Sequence, residues 1–128
     1  MLGNKDVVAS IAVKDLEVAR SFYVDTLGLL EDSGANVVSD ELMLLRSGST
    51  LFSVYQSQYA GTNKATALTW PVGDELDDIV GALRANGITF EHYDMPDTTR
   101  EGDIHVSGDF RGAWFKDPDG NILNVVNM

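Results

Sequence analysis

The chain has 128 residues, 44% apolar and 23% charged, with 9 Lys and Arg against 20 Asp and Glu, for a formal net charge of −11. That is the length of one domain and enough to bury a core without cross-links. Phosphate backbones and anionic membrane surfaces both require clustered cations, so neither nucleic acid nor a membrane is expected as a partner. Cysteine is absent, which excludes a disulfide framework, thiolate metal ligation and a cysteine nucleophile. Residues 1–6 are polar and lead into no long apolar segment, and no apolar run approaches the ~18 residues of a membrane span. The expectation is a soluble cytoplasmic protein.

Residues 7–13 are apolar and β-branched and predict a strand. Asp15 follows in a position to cap a helix, its carboxylate accepting from the first amides. Leu16, Ala19, Phe22, Tyr23 and Leu27 then fall at helical spacing, and Gly28 supplies the left-handed residue that ends a helix. Strand-like pieces follow at 29–32, 36–39, 42–46 and 50–56, with turn residues at Ser33-Gly34 and Ser47-Gly48.

The order then repeats. Residues 66–72 predict a strand, Asp74 is placed to cap a helix, and Leu76, Ile79, Val80 and Leu83 form its apolar stripe before Asn86-Gly87 stops it. Further strands are predicted at 88–93, 104–106, 112–116 and 122–127. Thirteen residues separate Asp15 from Gly28 and also Asp74 from Gly87, although the second stripe starts one residue later. Only two helices accompany eight or so short strands, which favours antiparallel pairing over a doubly wound parallel sheet. The reading is an α+β protein, one domain over 1–128, built of two tandem βαβββ modules at 1–60 and 65–128.

Val13-Lys14-Asp15-Leu16, Ala19-Arg20, Phe22-Tyr23 and Leu27-Gly28-Leu29, together with Trp114-Phe115-Lys116-Asp117-Pro118-Asp119-Gly120-Asn121, resemble the vicinal oxygen chelate superfamily. That superfamily holds glyoxalase I, extradiol dioxygenases, fosfomycin resistance enzymes and bleomycin-binding proteins. Gly61-Thr62-Asn63 and Trp70–Val72 further resemble an uncharacterised bacterial branch of it. The resemblance implies an open, curved mixed sheet with the helices outside and a concave face that takes metal or ligand. The Asp-Pro-Asp-Gly-Asn segment itself reads as a turn.

The resemblance also implies where a divalent metal would be held: at Val8, near Ser53, at Ala67 and at Asn124. None of these is a His, Gln or Glu, and a neutral amide is a poor ligand for a transition metal. The expectation is no metal and no cofactor. A new site is conceivable around Glu91, His92 and His105, and the histidines read as surface or hydrogen-bonded groups. Asp77-Asp78 reads as a solvated pair on the second helix. No nucleophile elbow and no glycine-rich phosphate loop is present, so no catalytic residue is assigned.

With the implied metal positions taken as inward, strand alternation puts Val8, Ser10 and Ala12, then Ser53 and Tyr55, then Ala67, Thr69 and Pro71, then Ile122 and Asn124 on the concave face. Trp70 points the other way. Small inward side chains leave room for a flat, bulky ligand, with Tyr55, Phe110 and Trp114 as candidate stacking surfaces. The expected ligand-binding set is Ser10, Ser53, Tyr55, Thr69, His105, Phe110, Trp114 and Asn124. The polar segment 93–108 reads as a flap or a long hairpin connection, and a second polar stretch, 56–64, joins the modules.

The function this implies is a metal-independent binding protein of the bleomycin-resistance type. It would sequester a bulky aromatic or antibiotic-like compound, aromatic or cationic, as a homodimer. The alternatives are a metal-free isomerase or cyclase and a metal-dependent lyase, transferase or dioxygenase of the same superfamily.

Overall fold

The structure, a computed structural model, describes residues 1–32 and 40–128. The strand expected at 36–39 and the turn at Ser33-Gly34 lie outside the described residues. The chain divides into two compact units, Met1–Gly61 and Thr62–Met128.

In the first unit β1 (Ala9–Val13) leads to α1 (Leu16–Arg20), then β2 (Leu30–Asp32), β3 (Leu42–Ser47) and β4 (Thr50–Gln56). Asp15 caps α1, accepting from the backbone N–H of Glu17 and Val18. The helix expected to run to Gly28 changes hand-width midway: Ser21–Thr26 is π-helical. The wider turn still delivers Tyr23 to the core, where its ring meets Phe52 of β4 edge-on at 6.1 Å. Gly28 ends the segment at φ 80°. The sheet order is β1-β4-β3-β2, with β1 and β4 parallel and the rest antiparallel. Ala9, Phe52 and Leu45 are in register, as are Ile11, Val54 and Met43, and these form the face toward the helix.

The second unit holds β5 (Thr66–Pro71), α2 (Leu76–Ala85), β6 (Phe90–Glu91), β7 (Thr99–Glu101), β8 (Ile104–Ser107), β9 (Phe110–Lys116) and β10 (Ile122–Val126). Its order is β5-β10-β9-β8-β7, with β6 also on β9 and β5 parallel to β10. The α+β class and the glyoxalase-like arrangement therefore stand, as two open mixed sheets, one in each unit.

Two features of the second unit depart from the sequence reading. Asp74 caps nothing: it lies in a 3-10 turn, Gly73–Glu75, that precedes α2, and Glu75 takes the cap position without a side-chain bond. Gly73 at φ 59° and a Glu75 N–H to Val72 carbonyl bond set that turn. The strand expected over 88–93 is only Phe90–Glu91, because the chain leaves the sheet there. β6 pairs Phe90 with Phe115 and Glu91 with Trp114, while β8 pairs His105 with Gly112 farther along the same edge of β9. β6 and β8 are thus two halves of one strand line, interrupted by residues 92–103. Part of that excursion folds back as β7, which pairs with β8 and was not predicted.

The core of this unit is Phe90, Ala113, Phe115, Leu123 and Val125, all buried and on one face. α2 lies on β10 and buries Leu76 and Val80. Trp70, in register with Val125, points to this side. The Asp117–Asn121 turn closes β9 onto β10. The buried Asp117 carboxylate accepts from the N–H of Asp119 and Asn121 at 2.9 Å each and from Asn121 Nδ2 at 2.8 Å.

Candidate functional site

The side chains of interest lie on the face of each sheet turned away from its helix. In the first unit that face carries Ser10, Ser53 and Tyr55. Ser10 and Ser53 are in register on the parallel strands β1 and β4, and their hydroxyls are 2.8 Å apart. Tyr55, two residues on, is 38% exposed.

The second unit carries the other five expected residues. Thr69 and Asn124 are in register on the parallel strands β5 and β10, and Thr69 Oγ1 donates to Asn124 Oδ1 at 2.5 Å. Each unit therefore joins its first and last strands by one side-chain hydrogen bond at a matching position. Trp114, His105 and Phe110 stand beside this pair, together with Tyr93, which the sequence reading placed at the end of the strand 88–93 and the start of the flap or hairpin connection 93–108 and not in the binding set. Trp114 is the hub: its ring lies 5.0 Å from His105, 5.8 Å from Tyr93 and 6.2 Å from Phe110. Its indole N–H donates to Thr66 Oγ1 at 3.3 Å, which fixes the ring's orientation. Phe110 lies over Gly112, where a Cβ would sit 2.9 Å from Phe110 Cζ. Glycine at that position makes room for the aromatic ring.

His105 is fully buried. Its Nε2 accepts from the Tyr93 backbone N–H at 2.9 Å. The neutral ring then carries its proton on Nδ1, which is buried and has no hydrogen-bond partner among the described residues, as is the case for the Tyr93 hydroxyl. Burial holds the imidazole below its ordinary value, and the charges of Arg100 and His92 add to this. Burial, with Glu91 nearby, pushes the Tyr93 hydroxyl up. The sequence signal for the burial of His105 is its place between two apolar β-branched residues, which sets it in a strand interior.

His92 and Glu91 make no site with it. His92 Nε2 bonds Asp103 at 2.7 Å, and Arg84 grips the same carboxylate at 2.6 Å. His92 first, then Arg84, holds that carboxylate below the usual range. Glu91 is paired with Lys116. Asp77 of the expected solvated pair is instead held by Arg111 at 2.8 and 3.0 Å.

The residues at the implied metal positions do not fit a divalent cation. Val8 lies before β1 and is 46% exposed, and Ala67 sits at the register shift between β5 and β10; both side chains are hydrocarbon. Ser53 and Asn124 offer neutral oxygens already engaged with Ser10 and Thr69. Transition metals select imidazole, thiolate or carboxylate over such oxygens. Among the described residues no group of three or more His, Asp or Glu is placed to hold an ion, and no helix is long and apolar enough to cross a membrane.

Residues 6–125 match the model of the Glyoxalase/Bleomycin resistance protein/Dioxygenase superfamily, and the chain belongs to that superfamily. A sequence comparison with curated proteins found no match. Among solved structures, a hypothetical protein from S. aureus is 22% identical, with 98% of this chain and 99% of that one covered and a TM-score of 0.68. A bleomycin-binding protein complexed with bleomycin is 15% identical, with 98% and 99% covered and a TM-score of 0.68. The fosfomycin resistance protein FosX from Mesorhizobium loti is 11% identical, with 98% and 92% covered and a TM-score of 0.67. At these identities the likeness shows the fold, which binding proteins and enzymes share.

Proposed function

We propose that the protein binds a small, flat organic molecule against the Trp114 face of the second sheet, without a metal and without converting it. One observation carries this reading. Where the superfamily's metal donors are expected there are hydrocarbon and neutral groups, and in the second unit, beside Asn124, stands a cluster of four rings, Tyr93, His105, Phe110 and Trp114. Fixed aromatic side chains offer stacking surface worth ~1 kcal/mol per well-formed contact at little entropic cost. The solved bleomycin complex in the same fold supports a drug-like occupant. The net charge of −11 favours a cationic one, weakly at physiological salt. The same reading includes a homodimer: β1 is an edge strand of its sheet, and Val7 and Val8 leading into it are exposed.

The test is a titration of Trp114 fluorescence in a Trp70→Phe protein, with bleomycin and with planar aromatic compounds that differ only in a cationic group. Saturable quenching that excess EDTA leaves unchanged, with the compound recovered intact, is the expected result. Recovery of a converted compound replaces this reading with the metal-free enzyme. Binding that EDTA abolishes replaces it with the metal-dependent one.

A further inference from the structure

We propose that His105 and Tyr93 form a proton-operated gate: protonating His105 at Nε2 ejects Tyr93 from its place against Trp114. The gate would regulate the face read above as the binding surface, and in that sense it rests on the reading; its own mechanism needs no ligand.

The argument starts from the broken strand line. Between Glu91 and Ile104 the chain has no partner on β9, and the Tyr93 N–H to His105 Nε2 bond of 2.9 Å joins the two halves across the gap. This bond requires a lone pair on Nε2. A proton placed there sets two donors against each other at 2.9 Å, and the contact turns from attraction to repulsion. Little else holds the closed position. Among the described residues, neither the buried Tyr93 hydroxyl nor the buried His105 Nδ1 has a hydrogen-bond partner. A buried polar group without a partner is costly, so opening relieves two such groups while giving up one bond and two ring contacts, with Trp114 at 5.8 Å and with His105 at 6.1 Å.

The surroundings keep the motion local. From residues 92–94 His92 and Tyr93 face the imidazole, from β7 its cross-strand partner Arg100, and from β9 Gly112 and Trp114. Arg111, beside Gly112, turns instead to Asp77 and Glu101. Glu91 is held by Lys116, and Asp103 by His92 and Arg84. Among the described residues no carboxylate is bonded to His105 that would welcome its charge. The second tie across the neck of the excursion, His92 to Asp103 at 2.7 Å, survives mild acid, because the Asp103 carboxylate, also gripped by Arg84, is held below the usual range and stays an acceptor. Residues 94–103 therefore stay tethered while Tyr93 moves.

The sign follows from linkage. The closed state holds His105 neutral to below the ordinary value of 6.5, and in the open state the ring is hydrated and titrates near that value. Opening is independent of pH above about 6.5 and rises by up to ~10-fold per pH unit below it, the limit for one linked proton.

The experiment is amide hydrogen exchange of Tyr93, corrected for the intrinsic pH dependence of exchange, alongside acrylamide quenching of Trp114 in the Trp70→Phe protein, both without ligand. Protection of Tyr93 should fall and quenching should rise together as pH drops below about 6.5. His105→Gln places an amide oxygen where Nε2 stood, an acceptor that does not titrate, and should flatten both profiles; His92→Gln should leave them in place. Persistence of the pH dependence in His105→Gln overturns the gate. Should that variant fail to fold, the nitrogen shifts of His105 in the unaltered protein decide: a neutral ring protonated on Nε2 overturns it as well. Since no ligand enters, a failed gate leaves the binding reading untouched, and a failed titration with bleomycin leaves the gate untouched.

Discussion

The two units repeat one plan and use it differently. Each starts with a strand, crosses over through a helix, and returns so that its last strand runs parallel to its first. Each ties those strands together with a hydrogen-bonded pair at the same position, Ser10 with Ser53 and Thr69 with Asn124. Beyond that pair they diverge. Among the described residues the first unit makes a four-stranded sheet whose helix carries a π-helical stretch. The second keeps a regular helix and breaks a strand, and around the break it gathers Tyr93, His105, Phe110 and Trp114. A repeated scaffold can therefore place its irregularity in either layer. Where the irregularity lies in the sheet, buried polar groups and aromatic rings come together.

The largest effect should come from removing the rings that seat each sheet on its helix side. Tyr23→Ala and Phe115→Ala each delete a buried ring, and each should cost about 3–5 kcal/mol by urea unfolding. Similar costs sharpen the parallel between the units; a small cost for Tyr23 breaks it, since it would mean that the π-helical stretch tolerates collapse. Next is the final hairpin. In the first unit β3 and β4 meet in a short turn between the paired Ser47 and Thr50, whereas the second uses the Asp117–Asn121 turn. Asp117→Ala leaves three donors to find new acceptors and should cost about 2–4 kcal/mol in thermal or urea unfolding.

Gly112→Ala should cost less, about 1–2 kcal/mol. Its new Cβ would meet Phe110 and Val126, so Phe110 must tilt, and Trp114 emission should shift with it. A variant with unchanged Trp114 emission would show that the two rings are not mechanically linked. The smallest effect is expected at Arg20, which binds Glu31 at 2.8 Å and also Glu17 on the half-exposed surface of the first unit. Arg20→Gln should change stability by no more than about 1 kcal/mol, and 1 M salt should remove most of that difference.

Much of the fold was legible in the sequence. The strand-like piece after the Ser47-Gly48 turn located β4 at Thr50–Gln56 with both ends as observed, and Asp15 announced the start of α1. What escaped reading has a common cause in contacts between residues distant in sequence. Asp74 has the chemistry of a cap, but Gly73 and the Val72 carbonyl commit the chain to a 3-10 turn one residue before that chemistry could act. Residues 88–93 have a strand's composition, yet the sheet edge they would occupy is taken over at Gly112 by His105. At the candidate site, alternation was enough to group Ser10 with Tyr55's strand and Thr69 with Asn124. It could not supply Tyr93, whose place against Trp114 goes with a bond to a histidine twelve positions away.

The interruption between β6 and β8 also has a practical consequence. The two ends of the excursion are already neighbours, tied by the Tyr93–His105 and His92–Asp103 bonds, while the strand pairing on β9 is set on either side of them. The free-energy cost of closing a loop grows only with the logarithm of its length. A foreign segment spliced between residues 94 and 102 would meet a ready-made neck. It would leave the register of β9 and β10 as it is, which makes this point of the chain a natural port for grafting recognition loops.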